Sequence, residues 1–192
     1  MKQQWRPGTM VYPLPAALVS CGSGVDDSNL LTVAWTGTIC SDPAMLYISV
    51  RPERYSYNII RKNMEFTLNL TTEALAAATD RCGVTSGRDR NKWTENNLTP
   101  RPGIKVSCPY IEESPLSIEC RVRSIIPLGS HDMFLAEVVN VLADDRYINP
   151  ETGAFDLLAS GLMAYAHGGY YSLGQKRGKF GFSVEKKKKS KK

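Results

Sequence analysis

Two arginines close to the start of a predicted helix form the first group whose residue types and spacing suit a chemical task. Arg51 and Arg54 follow an apolar segment, and Ser56 stands where it can cap a helix predicted over Tyr57–Lys62. The first N–H groups of a helix have no partner within the helix and carry a positive potential. Together with two guanidinium groups, they are donors suited to phosphate oxygens. Spacing alone leaves two interpretations open, a phosphate site and an ordinary surface corner.

A second group lies upstream, in a segment that predicts contact with a flat ligand. Ala34–Thr38 surrounds one large aromatic residue, Trp35, with small and hydroxyl-bearing residues. Backbone beside small side chains can lie flat against a planar ligand and hydrogen-bond to its edge. The alternative is a core tryptophan that packs between small neighbours.

The sequence lacks the motifs of several other chemistries. It contains no G-x-x-x-x-G-K-[ST], no G-x-S-x-G, no H-E-x-x-H and no C-x-x-C. An odd number of cysteines, five, argues against a disulfide framework, and five cysteines without a C-x-x-C motif and only two histidines argue against a zinc site. We therefore expect no metal, and we expect free thiols, which indicate a reducing, cytoplasmic location.

The elements that must position these groups are mostly strands. Segments rich in β-branched and aromatic residues do not alternate with long helices, which argues against a doubly wound parallel sheet. We predict a mainly β fold, an antiparallel barrel with short helices in its connections, one of them running from Thr72 towards Gly83. The predicted strands are Ala17–Cys21, Leu30–Thr36, Met45–Val50, Phe66–Leu70, Leu116–Ile126 and Met133–Leu142.

Length and charge limit the organisation of the chain. Its 192 residues, 42% of them hydrophobic, fit one globular domain, and no apolar run approaches the ~18 residues of a membrane span. We expect a mature N-terminus without a signal peptide. The net charge of +5 depends on the six lysines of Lys186–Lys192, without which 18 basic residues face 19 acidic ones. We expect a domain over 1–178 and a basic, disordered tail over 179–192.

Several short motifs follow one another in a specific order: Asn29–Trp35, Ser41–Pro43, Tyr55–Ile60, Glu65–Asn69, Cys82–Gly83, Ser86–Asp89, Gly129–Asp132, Phe134–Val138 and Tyr170–Gly174. In this order they resemble the flavin reductase-like, FMN-binding split-barrel family, and in particular its flavoredoxin branch. The resemblance covers about residues 9–178 and implies a homodimer of antiparallel split β-barrels, with one FMN per subunit at or near the interface.

The resemblance also implies roles for particular residues. His131 would act at the reacting face of the flavin, where a hydride donor or acceptor approaches, and Arg54 would support the phosphate site. The residues implied to contact the cofactor are Ala34, Trp35, Thr36 and Gly37 at the ring, Ser49, Arg51, Ser56 and Tyr57 at the phosphate and ribityl chain, Cys82, Gly83, Ser86, Gly87 and Lys92 in a closing loop, and Tyr171, from the same subunit or its partner.

Three functions follow as hypotheses. The first is an oxidoreductase in which NADH, NADPH or a protein donor reduces bound FMN, which passes electrons to a flavin, a ferric complex or a redox partner. Because a flavin carries out the hydride chemistry, no protein nucleophile is needed. The second is an FMN-binding electron carrier without nicotinamide turnover. The third is a module that binds nucleic acid or an anionic surface through Lys186–Lys192; the absence of a second basic cluster disfavours it.

Overall fold

The computed structural model describes residues 1–184, and most of their regular structure is β-strand, as predicted. The strands are β1 Leu14–Pro15, β2 Ala17–Gly22, β3 Ser28–Val33, β4 Thr36–Ser41, β5 Ala44–Val50, β6 Glu65–Leu70, β7 Pro100–Arg101, β8 Tyr110–Ile111, β9 Leu116–Pro127, β10 Asp132–Ala143, β11 Met163–Ala166 and β12 Gly169–Ser172. The lysine block Lys186–Lys192, and with it the third hypothesis, lies outside the described residues.

Short helices occupy the connections between strands. The α-helices are α1 Tyr55–Asn63, α2 Ala76–Val84 and α3 Lys92–Glu95, and 3-10 helices cover Glu73–Leu75, Asp145–Tyr147, Leu157–Ser160 and Phe182–Val184. Within residues 1–184, the longest helix has nine residues, so none is long and apolar enough to cross a bilayer.

One antiparallel sheet of seven strands forms the body of the protein, in the order β3-β2-β6-β9-β10-β5-β4. β3 also contacts β5, so the sheet curls towards a barrel. A smaller antiparallel sheet, β1-β11-β12, lies beside it, and β7 pairs with β8. The prediction of a mainly β, antiparallel fold with short connecting helices is confirmed.

The core consists of two clusters on either side of β2. Ala17 and Val19 face the barrel interior with Ile48, Phe66 and Phe134, all of them fully buried or nearly so. The alternate residue Leu18 faces the second cluster, under α2 and α3, together with Leu30, Leu75, Cys82, Trp93, Leu98 and Ile111. Burial of each large apolar side chain contributes roughly 1.5–3 kcal/mol. β2 therefore fixes α2 and α3 against the barrel.

The prediction of one continuous strand over Leu30–Thr36 is wrong, because the structure has two strands with a break between them. β3 ends at Val33 and β4 begins at Thr36, so that the chain leaves β2 and pairs with β5. At the break Thr36 N donates to Ala34 O at 3.0 Å, and Ser49 N donates to Trp35 O at 2.8 Å. Ala34 and Trp35 therefore lie at a corner of the barrel.

The helix predicted from Thr72 is also longer than expected. A 3-10 turn, Glu73–Leu75, leads into α2, which continues through Gly83 and ends at Val84. A Cβ added to Gly83 would lie 3.3 Å from the Thr32 side chain. Gly83 thus allows a close approach of α2 to β3 instead of ending the helix.

Candidate functional site

Two adjoining cavities, of about 470 and 490 Å³, form one cleft along the side of the barrel. Leu31, Arg51, Arg54 and Val84 line both cavities and join them. We call one cavity the aromatic end; its lining includes Ala34, Trp35, Ser49, Asp80, Gly83, His131, Tyr165 and Tyr170. We call the other the cationic end; its lining includes Asn29, Glu53, Tyr55, Ser56, Ser86, Gly87, Arg88 and Lys92.

The start of α1 differs from the prediction. The helix begins at Tyr55, with Arg54 as N-cap, and within residues 1–184 no capping bond from the Arg54 side chain is formed. Ser56, predicted as the cap, lies inside the first turn, where its Oγ accepts a hydrogen bond from Asn29 Nδ2 at 2.7 Å. Since no N-cap side chain satisfies them, the first N–H groups of α1 keep their positive potential at the cationic end.

The two arginines of the cleft are held differently. Arg54 Nη1 donates to the Gly83 carbonyl at 3.0 Å, so this side chain spans the cleft from α1 to α2. Arg51 Nη1 lies 3.3 Å from Glu53 Oε1, and both side chains are more than half exposed. An exposed ion pair of this kind contributes little. Arg51 is therefore the cation that can turn towards an anionic ligand at small cost.

Lys92 is a buried cation with defined partners. Only 4% exposed, it donates from Nζ to the carbonyls of Cys82 at 2.7 Å and Leu30 at 2.9 Å. Burial lowers the pKa of Lys92. The ammonium ties α2 to β3 and also lines the cationic end. Cys82 packs into the second core cluster, and burial raises its pKa to about 11, so it is a thiol at neutral pH.

The loop after α2 comes close to the same end of the cleft. A Cβ added to Gly87 would lie 2.0 Å from Asn29 Oδ1, so a larger residue would fit only if the buried Asn29 side chain moved. Ser86 Oγ accepts from Arg88 N at 3.2 Å, and the Arg88 guanidinium lies 5.9 Å from the centre of the Tyr55 ring. This close packing brings Ser86 and Arg88 to the cleft opposite α1.

Aromatic rings from distant parts of the chain line the other end. The ring centroids of Trp35 and Tyr165 are 6.5 Å apart, and those of Tyr165 and Tyr170 are 5.8 Å apart. Tyr170 Oη lies 3.4 Å from Asp80 Oδ1, across from β12 to α2. Burial, with the charge of Asp80 as a second cause, raises the pKa of Tyr170 to about 12. These rings give the aromatic end an apolar wall that suits a planar ligand.

His131 lies in the turn between β9 and β10 and lines the aromatic end. Its Nδ1 is 2.9 Å from Ser130 Oγ, and its carbonyl accepts from Leu128 N at 2.9 Å. Partial burial lowers the pKa of His131 below the ordinary 6.5, and the charge of Arg51 adds to this effect. The neutral imidazole therefore prevails at pH 7 and can donate or accept one hydrogen bond in the cleft.

Most of the residues predicted to form the site come together. The cleft is lined by Ala34, Trp35, Ser49, Arg51, Ser56, Gly83, Ser86, Gly87, Lys92 and His131. Five others lie elsewhere: Thr36, Gly37, Tyr57, Cys82 and Tyr171.

The structure gives a physical reason for the position of each of these. Thr36 Oγ1 donates to the Tyr47 carbonyl at 2.6 Å, and Gly37 lies against the Tyr47 ring. Tyr57 Oη donates to Asp132. Tyr171 is half exposed, because alternate residues of β12 point to opposite faces and it is Tyr170 that faces the cleft. Contact of Tyr171 with a flavin of a partner subunit stays a prediction.

Several residues that line the cleft were not predicted as site residues. Asn29 and Tyr170 stand in the motifs of the resemblance, and the three tyrosines of 163–172 make this segment rich in aromatic residues, a strand signal that could have pointed to Tyr165 and Tyr170. Arg88 stands in the motif Ser86–Asp89 of the resemblance, whereas Asp80 carries no local signal, because only the packing of α2 brings it to the cleft. Within residues 1–184, no three His, Cys, Asp or Glu side chains form a group that could hold a metal ion.

The fold and the cleft define a class of protein: an antiparallel β-barrel with an elongated cleft that is cationic at one end and aromatic at the other. The chain belongs to the flavin reductase like family, because the model of the flavin reductase like domain matches residues 9–174.

Known proteins with similar chains agree with this assignment. Flavoredoxin of Desulfovibrio vulgaris (Miyazaki F) has a TM-score of 0.87 and 29% identity, over 96% of this chain and 100% of that chain. An FMN-binding protein from Thermus thermophilus, with bound 1-cyclohex-2-enone, has a TM-score of 0.74 and 22% identity, over 90% and 96%. An NADPH-flavin oxidoreductase of Streptomyces viridifaciens is 27% identical over 139 residues, 69% of this chain and 68% of its own. The predicted family and its split-barrel fold are confirmed.

Proposed function

We propose that this protein is an FMN-dependent oxidoreductase of the flavin reductase and flavoredoxin type. The observation that carries the proposal is the continuity of the cleft, whose cationic and aromatic ends share Arg51 and Arg54. A ligand that fits both ends must be planar and apolar at one end and anionic at the other. FMN has this chemistry, and it supplies hydride and single-electron transfer when bound.

The cationic end would hold the phosphate. The uncapped first turn of α1 offers N–H donors, and Arg51 and Arg54 offer guanidinium groups. Lys92, already bound to two carbonyls, adds positive charge from the floor of the cleft. A single phosphate suffices for this end, which favours FMN over the uncharged riboflavin.

The aromatic end would hold the ring system and exclude water. Trp35, Tyr165 and Tyr170 form the apolar wall, and the corner at Ala34 leaves room for a flat ligand. His131, neutral at pH 7, would form a hydrogen bond to a ligand or to an incoming electron donor or acceptor. Its assignment as the residue that acts at the reacting face is part of this proposal.

A nicotinamide is the electron donor that we propose to test first. The name of the Streptomyces relative supports NADPH over NADH as the first choice, and a flavin as acceptor. A ferric complex or a redox protein is a further acceptor within the proposal.

The test is an absorption spectrum of the purified protein followed by anaerobic mixing. We expect the absorption bands of an oxidised flavin, and release of FMN on denaturation. Addition of NADPH or NADH under anaerobic conditions should bleach these bands. A protein that remains colourless and gains no thermal stability with added FMN would contradict the proposal.

The likeness to flavoredoxin favours one alternative, an FMN-binding electron carrier. The same anaerobic experiment separates the two functions. A carrier retains its flavin colour with both nicotinamides and bleaches only with a reduced redox protein or dithionite.

We also propose that the protein is a homodimer, in which Tyr171 of one subunit lines the flavin site of the other, and that it works in the cytoplasm. The half-exposed Tyr171, just outside the cleft, and five free cysteines support these points. Light scattering after size-exclusion chromatography should give twice the mass of the 21.3 kDa chain. A monomer at micromolar concentration would overturn the dimer.

A further inference from the structure

Tyr57 has a part-buried hydrogen bond that the cleft does not explain. Its side chain is only 5% exposed and turns away from the cleft, and its Oη donates to Asp132 Oδ2 at 2.5 Å. Asp132 is the first residue of β10 and directly follows His131. The bond therefore joins the first turn of α1 to the turn that carries His131.

The ring of Tyr57 also has a defined partner on β10. It packs edge-on against Phe134, with 5.5 Å between centroids and an angle of 76° between planes, and Phe134 is fully buried. Asp132 and Phe134 are two residues apart on β10 and so face the same side. Tyr57 thus contacts the start of β10 through a hydrogen bond to Asp132 and through apolar packing against Phe134.

This contact links the two ends of the cleft. Ser56, beside Tyr57 in α1, lines the cationic end, and His131, beside Asp132, lines the aromatic end. Across the sheet Asp132 pairs with Val50, the residue before Arg51. A shift of the Tyr57–Asp132 contact would therefore move His131 relative to the phosphate-binding groups, whereas neither Tyr57 nor Asp132 lines the cleft itself.

The chemistry of the pair suits a fixed contact. Asp132 raises the pKa of Tyr57 through the hydrogen bond between them, so the phenol stays protonated and donates to the carboxylate. Bonds between a neutral donor and an ionised acceptor are shorter and stronger than those between neutral groups. The bond is part-buried, so solvent screens it less than the exposed pair formed by Arg51 and Glu53.

We infer that Tyr57 and Asp132 are positioning residues, which fix His131 relative to the phosphate-binding end of the cleft. The inference rests on the proposed function, because His131 acts on the reaction only if the cleft binds FMN. Tyr57 acts through His131 and does not itself touch the cofactor.

The first experiment reads the position of His131 without any activity. The chain has only two histidines, His131 and His167, so imidazole NMR signals of protein labelled with ¹⁵N-histidine are few, and His131→Asn assigns them. In cofactor-free protein, Tyr57→Phe and Asp132→Asn should each shift or broaden the His131 signals and leave those of His167 in place. Unchanged His131 signals in both variants would overturn the inference. If one variant fails to fold, the other still decides.

The second experiment uses His131→Ala as a background. In the FMN-loaded protein, Tyr57→Phe should slow anaerobic reduction by NADPH about 3- to 10-fold, the scale of one lost hydrogen bond, and change FMN affinity less than about twofold. In His131→Ala protein the same substitution should have no further effect on the rate. An equal loss in both backgrounds would show a merely structural role. Tyr147→Phe, a tyrosine of the 3-10 helix Asp145–Tyr147, is the matched control.

The two experiments separate failure of the inference from failure of the proposed function. A protein that does not bind FMN contradicts the function, but the NMR experiment still tests whether Tyr57 and Asp132 hold His131. If the protein binds FMN and is reduced, but its His131 signals are the same in both variants, the proposed function stands and the inference is wrong. If the protein proves to be a carrier, a reduced redox protein replaces NADPH in the rate measurement.

Discussion

The two ends of the cleft are assembled in different ways. The cationic end uses mainly two short stretches of chain, residues 51–56 and 84–92, with Asn29 and Leu31 added from β3. The aromatic end combines two short stretches, residues 31–35 and 49–51, with distant residues that include Asp80, His131, Tyr165 and Tyr170. Local spacing therefore indicates most of the first end, whereas Asp80, Tyr165 and Tyr170 reach the second end only when the fold assembles.

The two ends also use different forces. At the cationic end, exposed Arg51 and the first turn of α1 act through charge, which salt screens. At the aromatic end, Trp35, Tyr165 and Tyr170 act through contact area and shape. If this division is right, substitutions at one end should discriminate between ligands with and without a phosphate, and substitutions at the other should not.

The largest expected effect is that of Arg51→Ala on FMN. Loss of a charge-assisted bond to phosphate should weaken FMN binding by about 1–3 kcal/mol, roughly 5- to 150-fold, and leave riboflavin binding unchanged. Quenching of flavin fluorescence measures both affinities. Lys62→Ala, which removes a cation from the far end of α1, is the control. Equal weakening of both ligands by Arg51→Ala would contradict the assignment of the cationic end.

Trp35→Ala should have a smaller effect, without such discrimination. Loss of one aromatic contact should weaken FMN and riboflavin alike, by about 0.5–1.5 kcal/mol. The same titration measures it, and Trp5→Ala, at an exposed position, is the matched control. A selective loss of FMN binding would place Trp35 with the phosphate and break the division between the ends.

The titration of His131 tests the electrostatic contact between the ends. Because the pKa of His131 is lower in the folded than in the unfolded protein, the unfolded state takes up the proton first as the pH falls below about 6.5. His131 therefore reduces stability as the medium becomes acidic. Arg51→Ala should raise the pKa of His131, since it removes a nearby positive charge.

Imidazole NMR follows this pKa, and urea unfolding at about pH 8 and about pH 5 follows the stability. His131→Asn should lose less stability than the wild type between these values. A His131 pKa that does not respond to Arg51→Ala would show that the charge of Arg51 does not reach the aromatic end.

The smallest effect is expected from Tyr170→Phe. Its contact with Asp80 is long and partly exposed, so its loss should lower the melting temperature by only about 1–3 °C. Tyr170 has a raised pKa, about 12, so the stability it contributes is present below about pH 10 and is lost as the pH rises towards 12. Tyr170→Phe should flatten this alkaline loss in thermal melts. An unchanged alkaline profile would contradict the raised pKa.

Particular residues show which features of the structure can be predicted from the sequence. The β-branched and aromatic runs predicted the strands of the main sheet well, because such residues fit a pleated, half-buried surface. The break after Val33 was not predicted, because it arises where β4 pairs with β5 and nothing in Leu30–Thr36 marks it. Ser56 was predicted as a helix cap from its residue type, but its hydroxyl accepts a hydrogen bond from Asn29, 27 positions away.

The sequence by itself determined the antiparallel β class, the family and the cationic corner at Arg51, since these depend on local pattern, motif order and the charge of neighbouring residues. Only the tertiary structure decided which tyrosine faces the cleft, that Lys92 donates to two carbonyls, and that Tyr57 donates to Asp132, at the start of the strand that follows His131. These outcomes depend on which distant backbone and side-chain groups meet when the sheet curls, and contacts across 60 or more positions, such as Tyr57 with Asp132 and Lys92 with Leu30, leave no periodic trace in the chain.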